Sequence, residues 1–138
     1  MRKMGLDLGD ARIGIAMTDP LGLIVNPFET YVRKKDDTDH RYIADLIRSK
    51  QCDLVVIGLP VNMDGTQGKR CDMSREFAAK LSELADVKIV FQDERLTTVT
   101  AERMLIAADM RREKRKEVID KVAASIILST YLDGHSRF

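Results

Sequence analysis

Apolar and polar positions alternate twice near the start of the chain, over Met4–Leu8 and again over Ile13–Met17, with Gly9, Asp10 and Ala11 between them. Two period-two runs joined by a short glycine-containing link predict a β-hairpin, which makes the second strand antiparallel to the first. Asp19, Pro20, Leu21 and Gly22 form a turn, after which Leu23–Val25 with Phe28, Thr30, Tyr31 and Val32 read as a third strand. Pro27 interrupts that run, so this strand is expected at an edge or at a bulge. A mixed-sign turn over Arg33–Asp37 follows, and from about Asp39 to Lys50 the residues Tyr42, Ile43, Leu46 and Ile47 recur at helical spacing.

Leu54–Ile57 is continuously apolar and is ended by Gly58, Leu59 and Pro60, the pattern of a strand buried on both faces. The helix before it predicts a parallel crossover. A polar loop from Val61 to Arg70 leads to a helix running roughly from Asp72 to Ala85, with Phe77, Ala78, Leu81 and Leu84 on its apolar side. Val87–Phe91 is the last strand, and it delivers Gln92, Asp93, Glu94 and Arg95 to its C-terminal end. Thr97–Thr100 lead into a helix through Met104–Ala107, a basic linker follows, and a closing helix is expected from about Lys116 to Leu132. The order predicts an α/β fold: a mixed five-stranded sheet with its first three strands antiparallel, strands 1, 4 and 5 parallel, and helices on both faces.

A chain of 138 residues fits one domain, residues 1–138, that can bury about two thirds of its unfolded surface. No apolar run approaches the ~18 residues that span a bilayer, and no apolar signal region precedes Asp7. Cys52 and Cys71 lie far apart, outside any paired motif, and read as small buried hydrophobes with free thiols. Together these features predict a cytoplasmic protein with no membrane partner. The formal net charge of +1 gives no global pull on an acidic partner, so phosphate binding must come from local patches. The candidates are Lys69 with Arg70, and Arg111, Arg112, Arg115 and Lys116 in the linker. The linker also reads as a solvated turn, as charge runs commonly do.

Asp7 is the anomaly, an acid within an otherwise apolar strand. An ionised carboxylate in a sheet interior needs a cation, a proton or an exit to solvent. It stands near the strand's C-terminal end, where open α/β sheets place their ligands. Stabilising the turn through its side chain is the alternative role. Glu94 lies just beyond the last strand, and Asp120 stands at the border of the closing helix's apolar stripe, where it could equally complement the helix dipole. If strands 1, 4 and 5 are parallel neighbours, the three acids Asp7, Glu94 and Asp120 meet at one sheet edge. Their repulsion then calls for a hard cation, Mg²⁺ or Mn²⁺, of the kind that serves phosphodiester hydrolysis. An empty site of this kind should strain the fold, so Asp120→Asn is expected to raise the melting temperature in chelator.

Four ordered motifs resemble the YqgF family of bacterial proteins, small RNase H-like nucleases related to the RuvC resolvases. They are Gly5, Asp7, Gly9, Arg12, Ile13 and Gly14; Gly58–Pro60 with Asn62–Thr66; Asp93–Thr98; and Asp120 with Ala123 and Ala124. The resemblance covers nearly the whole chain. It implies an RNase H-like fold and a catalytic, metal-binding acid set at Asp7, Glu94 and Asp120. It also implies nucleic-acid contacts at the motif residues Arg12, Asn62 and Arg95, and processing of the 5′ end of pre-16S ribosomal RNA. Alternatives are Holliday junction resolution on branched DNA and a non-catalytic RNA-binding assembly factor, with homodimerisation left open. Relative to the RuvC pattern, Gly58–Pro60 supply no acid and Ala123 stands where a second helix acid would be looked for, which speaks against a second metal and against four-way junctions. Actin-like and sugar-kinase ATPases share an acid-and-glycine first hairpin, but they need two lobes around the nucleotide where one is expected here.

Overall fold

The computed structural model describes residues 1–62, 64–94, 103–107 and 112–135, with the backbone alone at 112, 113 and 115–117. Its strands are β1 (Arg2–Leu8), β2 (Arg12–Thr18), β3 (Val25–Val32), β4 (Cys52–Leu59) and β5 (Lys88–Asp93). They form one sheet in the order β3-β2-β1-β4-β5. The β1/β2 and β2/β3 pairs are antiparallel and the β1/β4 and β4/β5 pairs parallel, as the sequence pattern predicts. β3 is an edge strand, and its register shifts between Ile15 and Ala16, where Pro27 stands opposite Ala16. A residue without an N–H is tolerated at such a place.

The helices are α1 (Asp37–Lys50), α2 (Lys69–Leu84) and α3 (Arg112–Gly134), with a further helical stretch at 103–107. α1 starts two residues before the expected point because the Asp36 side chain accepts from the Thr38 N–H at 2.8 Å and caps it. The expected basic linker needs correction. From Arg112 onward its backbone is already the first turn of α3, since Arg, Lys and Glu are good helix formers that leave no apolar stripe to read.

Each face of the sheet carries its own core. On one, Met4, Leu6, Ile13, Ile15, Val55 and Ile57 pack against Ile43 and Ile47 of α1 and Phe77 and Leu81 of α2. On the other, Ala16, Leu54 and Val56 meet Ala124, Ile127 and Leu128 of α3. The unbroken apolar run of β4 thus divides between the two faces by alternation. Cys52 and Cys71 are free and buried, and burial pushes the Cys52 thiol up to about 11. No helix among the described residues is long and apolar enough to cross a membrane.

Asp39, in the first turn of α1, is fully buried. It accepts from the Tyr31 hydroxyl at 2.9 Å, the Arg33 Nε at 3.3 Å, and the backbone N–H groups of Lys34 and Lys35 at 2.8 and 3.0 Å. The end of β3 and the start of α1 are joined through this one carboxylate. Asp39→Ala leaves Arg33 without its partner and should destabilise the protein by about 3–5 kcal/mol, read as a lowered denaturant midpoint. A variant within 1 kcal/mol of wild type, on the scale of ~0–1 kcal/mol set by exposed ion pairs, would show that the cluster contributes no more than they do.

Candidate active site

Asp7 lies at the C-terminal end of β1, and Glu94 follows β5 directly. β4 runs between those two strands, so their carboxyl groups meet only by reaching across it. Gly58 of β4 makes this possible, because a Cβ there would stand 2.7 Å from Glu94 Oε2. Glu94 is further fixed by its N–H, which donates to the Leu59 carbonyl at 3.0 Å and prolongs the β4–β5 ladder. The Asp7 and Glu94 carboxyls share a hydrogen bond. Burial raises both, to about 6 for Asp7 and about 8 for Glu94. The charge of Asp120 adds to the rise at Asp7, that of Asp7 to the rise at Glu94, and the Arg70 guanidinium opposes both. The shared proton therefore resides on Glu94, which donates to ionised Asp7.

Asp120 comes from α3 on the face that Asp7 shares. Gly14, the cross-strand partner of Asp7, would put a Cβ 1.9 Å from the Asp120 carbonyl oxygen, so the helix rests on the sheet at that point. The Asp120 carboxylate turns to β2, where Arg12 Nε donates to Oδ2 at 2.7 Å. Among the described residues no three Asp, Glu, His or Cys side chains form a ready metal cage. The expectation for Asp120→Asn changes accordingly. Arg12 balances the Asp120 charge, the strain of the cluster falls on Asp7 and Glu94, and removing the half-exposed pair should change stability by under ~1 kcal/mol.

The donor set suits a hard divalent cation. It offers oxygens alone, and two desolvated carboxylates already hold one positive charge between them in the form of a proton. Mg²⁺ is commonly held by one or two carboxylates together with substrate phosphates.

The loop after β4 is closed on itself. Asn62 Nδ2 donates to Thr66 Oγ1 at 2.8 Å, while the Thr66 N–H and hydroxyl donate to Asp64 Oδ1 at 3.0 and 2.7 Å. Gly65 completes the turn with φ 89°, a value glycine adopts without strain. Asn62, expected to contact nucleic acid, is thus occupied in shaping this loop. The loop sets the start of α2, where Gly68 provides no side-chain cap and Lys69 and Arg70 stand exposed. Arg95 and Arg111 lie outside the described residues, as do the side chains of Arg112, Arg115 and Lys116.

The sequence pattern did not single out Gly58 and Gly14 as site residues, nor the pairing of Arg12 with Asp120. A signal exists for the glycines, since each interrupts a strand of otherwise bulky residues at the end where the acids lie.

A family model described as "RuvX: Holliday junction resolvase" matches residues 1–134. A protein of Halothermothrix orenii is 48% identical over 137 residues, covering 99% of this chain and 98% of that protein. One of Halalkalibacterium halodurans is 49% identical over 135 residues, covering 96% of each. Both carry the name "Putative pre-16S rRNA nuclease". Among solved structures, T. thermophilus RuvC in complex with Holliday junction substrate superposes with a TM-score of 0.61 at 11% identity, covering 99% of this chain and 97% of that one. At that identity the likeness is one of fold, the RNase H-like fold of RuvC.

Proposed function

The chain belongs to the RuvX family, the YqgF family of the sequence resemblance, and from that premise we propose that it is a divalent-metal-dependent endonuclease that hydrolyses phosphodiester bonds. The observation that carries this reading is the Asp7–Glu94 pair, two half-buried carboxyls brought together over Gly58 at the C-terminal edge of the sheet. Asp7 and Glu94 would hold Mg²⁺ or Mn²⁺, with Asp120 as the third acid once Arg12 releases it. When bound, such a cation supplies Lewis acidity and neutralises charge developing on the phosphate. The protein's own groups do the rest. Glu94 gives up the proton it shares with Asp7 as positive charge enters, and Arg70 and Lys69 hold the strand at the start of α2. Arg12 exchanges the Asp120 carboxylate for a strand phosphate.

The names of the relatives support a pre-16S ribosomal RNA as substrate, and we place the cut toward the 5′ end of the 16S portion, in the cytoplasm. The family description and the likeness to RuvC support branched DNA as a second reading. Cleavage of a ribosomal precursor and a four-way junction, side by side with Mg²⁺, Mn²⁺ or chelator, separates the two. Activity on either substrate that persists unchanged in chelator would sink the metal requirement, and binding with no cleavage of either would leave an assembly factor.

Arg12→Ala tests the exchange. If Arg12 grips a phosphate, the plot of log affinity against log salt should become shallower by ~0.9 for duplex or ~0.7 for single strands, while stability changes by under ~1 kcal/mol. An unchanged slope would confine Arg12 to holding Asp120.

A further inference from the structure

Arg12 and Gly14 stand two residues apart on β2, and Gly14 is the cross-strand partner of Asp7, so all three lie on the face of the sheet that α3 covers. Asp120 enters that face from the helix. Its backbone has no freedom there, because its carbonyl seats against Gly14 with no room for a Cβ between them. Only its side chain can change partners. In the free chain Oδ2 accepts from Arg12 Nε at 2.7 Å.

The two members of this ion pair meet solvent unequally. The Arg12 side chain is 49% exposed and that of Asp120 19%, so a ligand arriving from solution reaches the guanidinium first. The carboxylate behind it is freed only when the guanidinium turns away. Among the described residues Asp120 is the one ion-pair partner of Arg12, so Arg12 leaves it at little cost only if another anion takes its place. A phosphate oxygen pair matches the guanidinium fork as well as a carboxylate does. The same contact explains why three acids do not already come together among the described residues. A divalent cation approaching the free chain finds Asp7 and Glu94, while the third acid is committed to a cation that also repels the newcomer.

We propose that Arg12 is a positioning residue that couples the two ligands of this site: a nucleic-acid phosphate that takes the Arg12 guanidinium releases Asp120 to the divalent cation. Strand and metal then each bind more tightly in the presence of the other, and the free chain holds the metal weakly. The inference rests on the metal-dependent nuclease reading and adds a linkage to it. Such coupling is reciprocal and typically amounts to about 5–150-fold in affinity. A cation and a strand also favour one another through charge alone, but that effect does not pass through Asp120, and the difference is measurable.

Calorimetric titration of Mn²⁺ into the full chain without nucleic acid reads the latch. Arg12→Gln should bind Mn²⁺ about tenfold more tightly than wild type, within the range of such linkages, with melting curves confirming that the variants fold. Loss of a repelling charge would also tighten binding, so the deciding protein is Arg12→Gln combined with Asp120→Asn. It should bind Mn²⁺ no more tightly than Asp120→Asn alone. A gain that persists without Asp120 would reduce Arg12 to a repelling charge and overturn the proposal. The strand side is read by the stopped-flow anisotropy of a labelled single-stranded RNA, taken ahead of any cleavage. Wild type should bind it about tenfold more tightly in Mn²⁺ than in chelator at matched ionic strength, and the difference should shrink in Arg12→Gln. Equal differences in the two proteins, or equal Mn²⁺ affinity of wild type and Arg12→Gln, would overturn the latch while leaving the metal site standing. Mn²⁺ binding to neither protein would overturn the latch and the metal requirement together. Because no cleavage is read, coupling through Asp120 in a protein that cuts neither substrate would uphold the latch while the nuclease reading failed.

Discussion

Asp7→Asn should lower cleavage by on the order of 10³-fold or more, the scale on which loss of one group stabilising the transition state acts, while the metal-free variant melts at or above the wild-type temperature. The substitution is nearly isosteric, and the asparagine carbonyl can still accept the hydrogen bond that Glu94 donates to Asp7. What it removes is one oxygen donor and the charge that Asp7 carries beside protonated Glu94. The pH dependence of stability gives the sharper signature. Both carboxyls are raised in the folded state, to about 6 and about 8, so each contributes stability that is fully present below its unfolded value near 4 and is lost as pH rises through the folded value. In chelator the wild type should therefore lose melting temperature from about pH 4 to pH 8. The Asn variant should give a flatter profile, because Glu94 no longer faces an ionised neighbour. Mg²⁺ at a hundredfold excess over its dissociation constant should restore ~2.7 kcal/mol to the wild type and far less to the variant. Wild-type cleavage by Asp7→Asn, or parallel pH profiles for the two proteins, would remove Asp7 from the site.

What could be read from the sequence follows from the range over which each signal acts. The hairpin, the edge position of β3 and the double burial of β4 are local signals, carried by alternation, by Pro27 and by an unbroken apolar run, and the sheet repeats them. Asp7 was legible because an acid inside such an alternation has few affordable roles. Glu94 and Asp120 were legible as acids at a shared edge, yet their pairing was not. Arg12 and Asp120 are 108 positions apart, and no pattern announces which cation an acid will choose. Nor does any spacing reveal that Gly58 lets Glu94 reach Asp7 over an intervening strand. The charged start of α3 escaped because its residues favour helix without a stripe, and Asp39 escaped because a buried acid in a first helical turn looks like an ordinary dipole partner until its four donors are seen. Propensity and period are one-dimensional signals, while the site is assembled by contacts between elements distant in the chain.

Gly14→Ala should be among the most damaging single changes available to this protein, and its cause differs from that of most glycine replacements. The backbone of Gly14 does not lie in the left-handed region, which among the glycines is reserved for Gly22 and Gly65, so alanine meets no conformational strain there. It meets the backbone of α3. The new Cβ would stand 1.9 Å from the Asp120 carbonyl oxygen, 2.3 Å from its carbon and 2.9 Å from the Lys121 nitrogen. No rotamer change relieves a clash with backbone, so the helix must withdraw from β2 and loosen the core formed by Ala16, Val56, Ala124 and Leu128. Overpacking of a well-filled core costs about 1–3 kcal/mol, occasionally more. With a rigid helix as the obstacle the upper end is expected, a fall of roughly 10 °C in melting temperature for a chain of this size. The same withdrawal carries Asp120 away from Asp7, so cleavage should fall even at temperatures where the variant is folded. Gly134, near the end of the same helix, gives the contrasting case: a Cβ there meets nothing within 4 Å. Gly134→Ala should leave stability unchanged or raise it by a few tenths of a kcal/mol, because alanine suits a helix better than glycine. If Gly14→Ala melts within about 2 °C of wild type, on the scale of a surface change, the close seating of α3 on β2 does not set the position of Asp120.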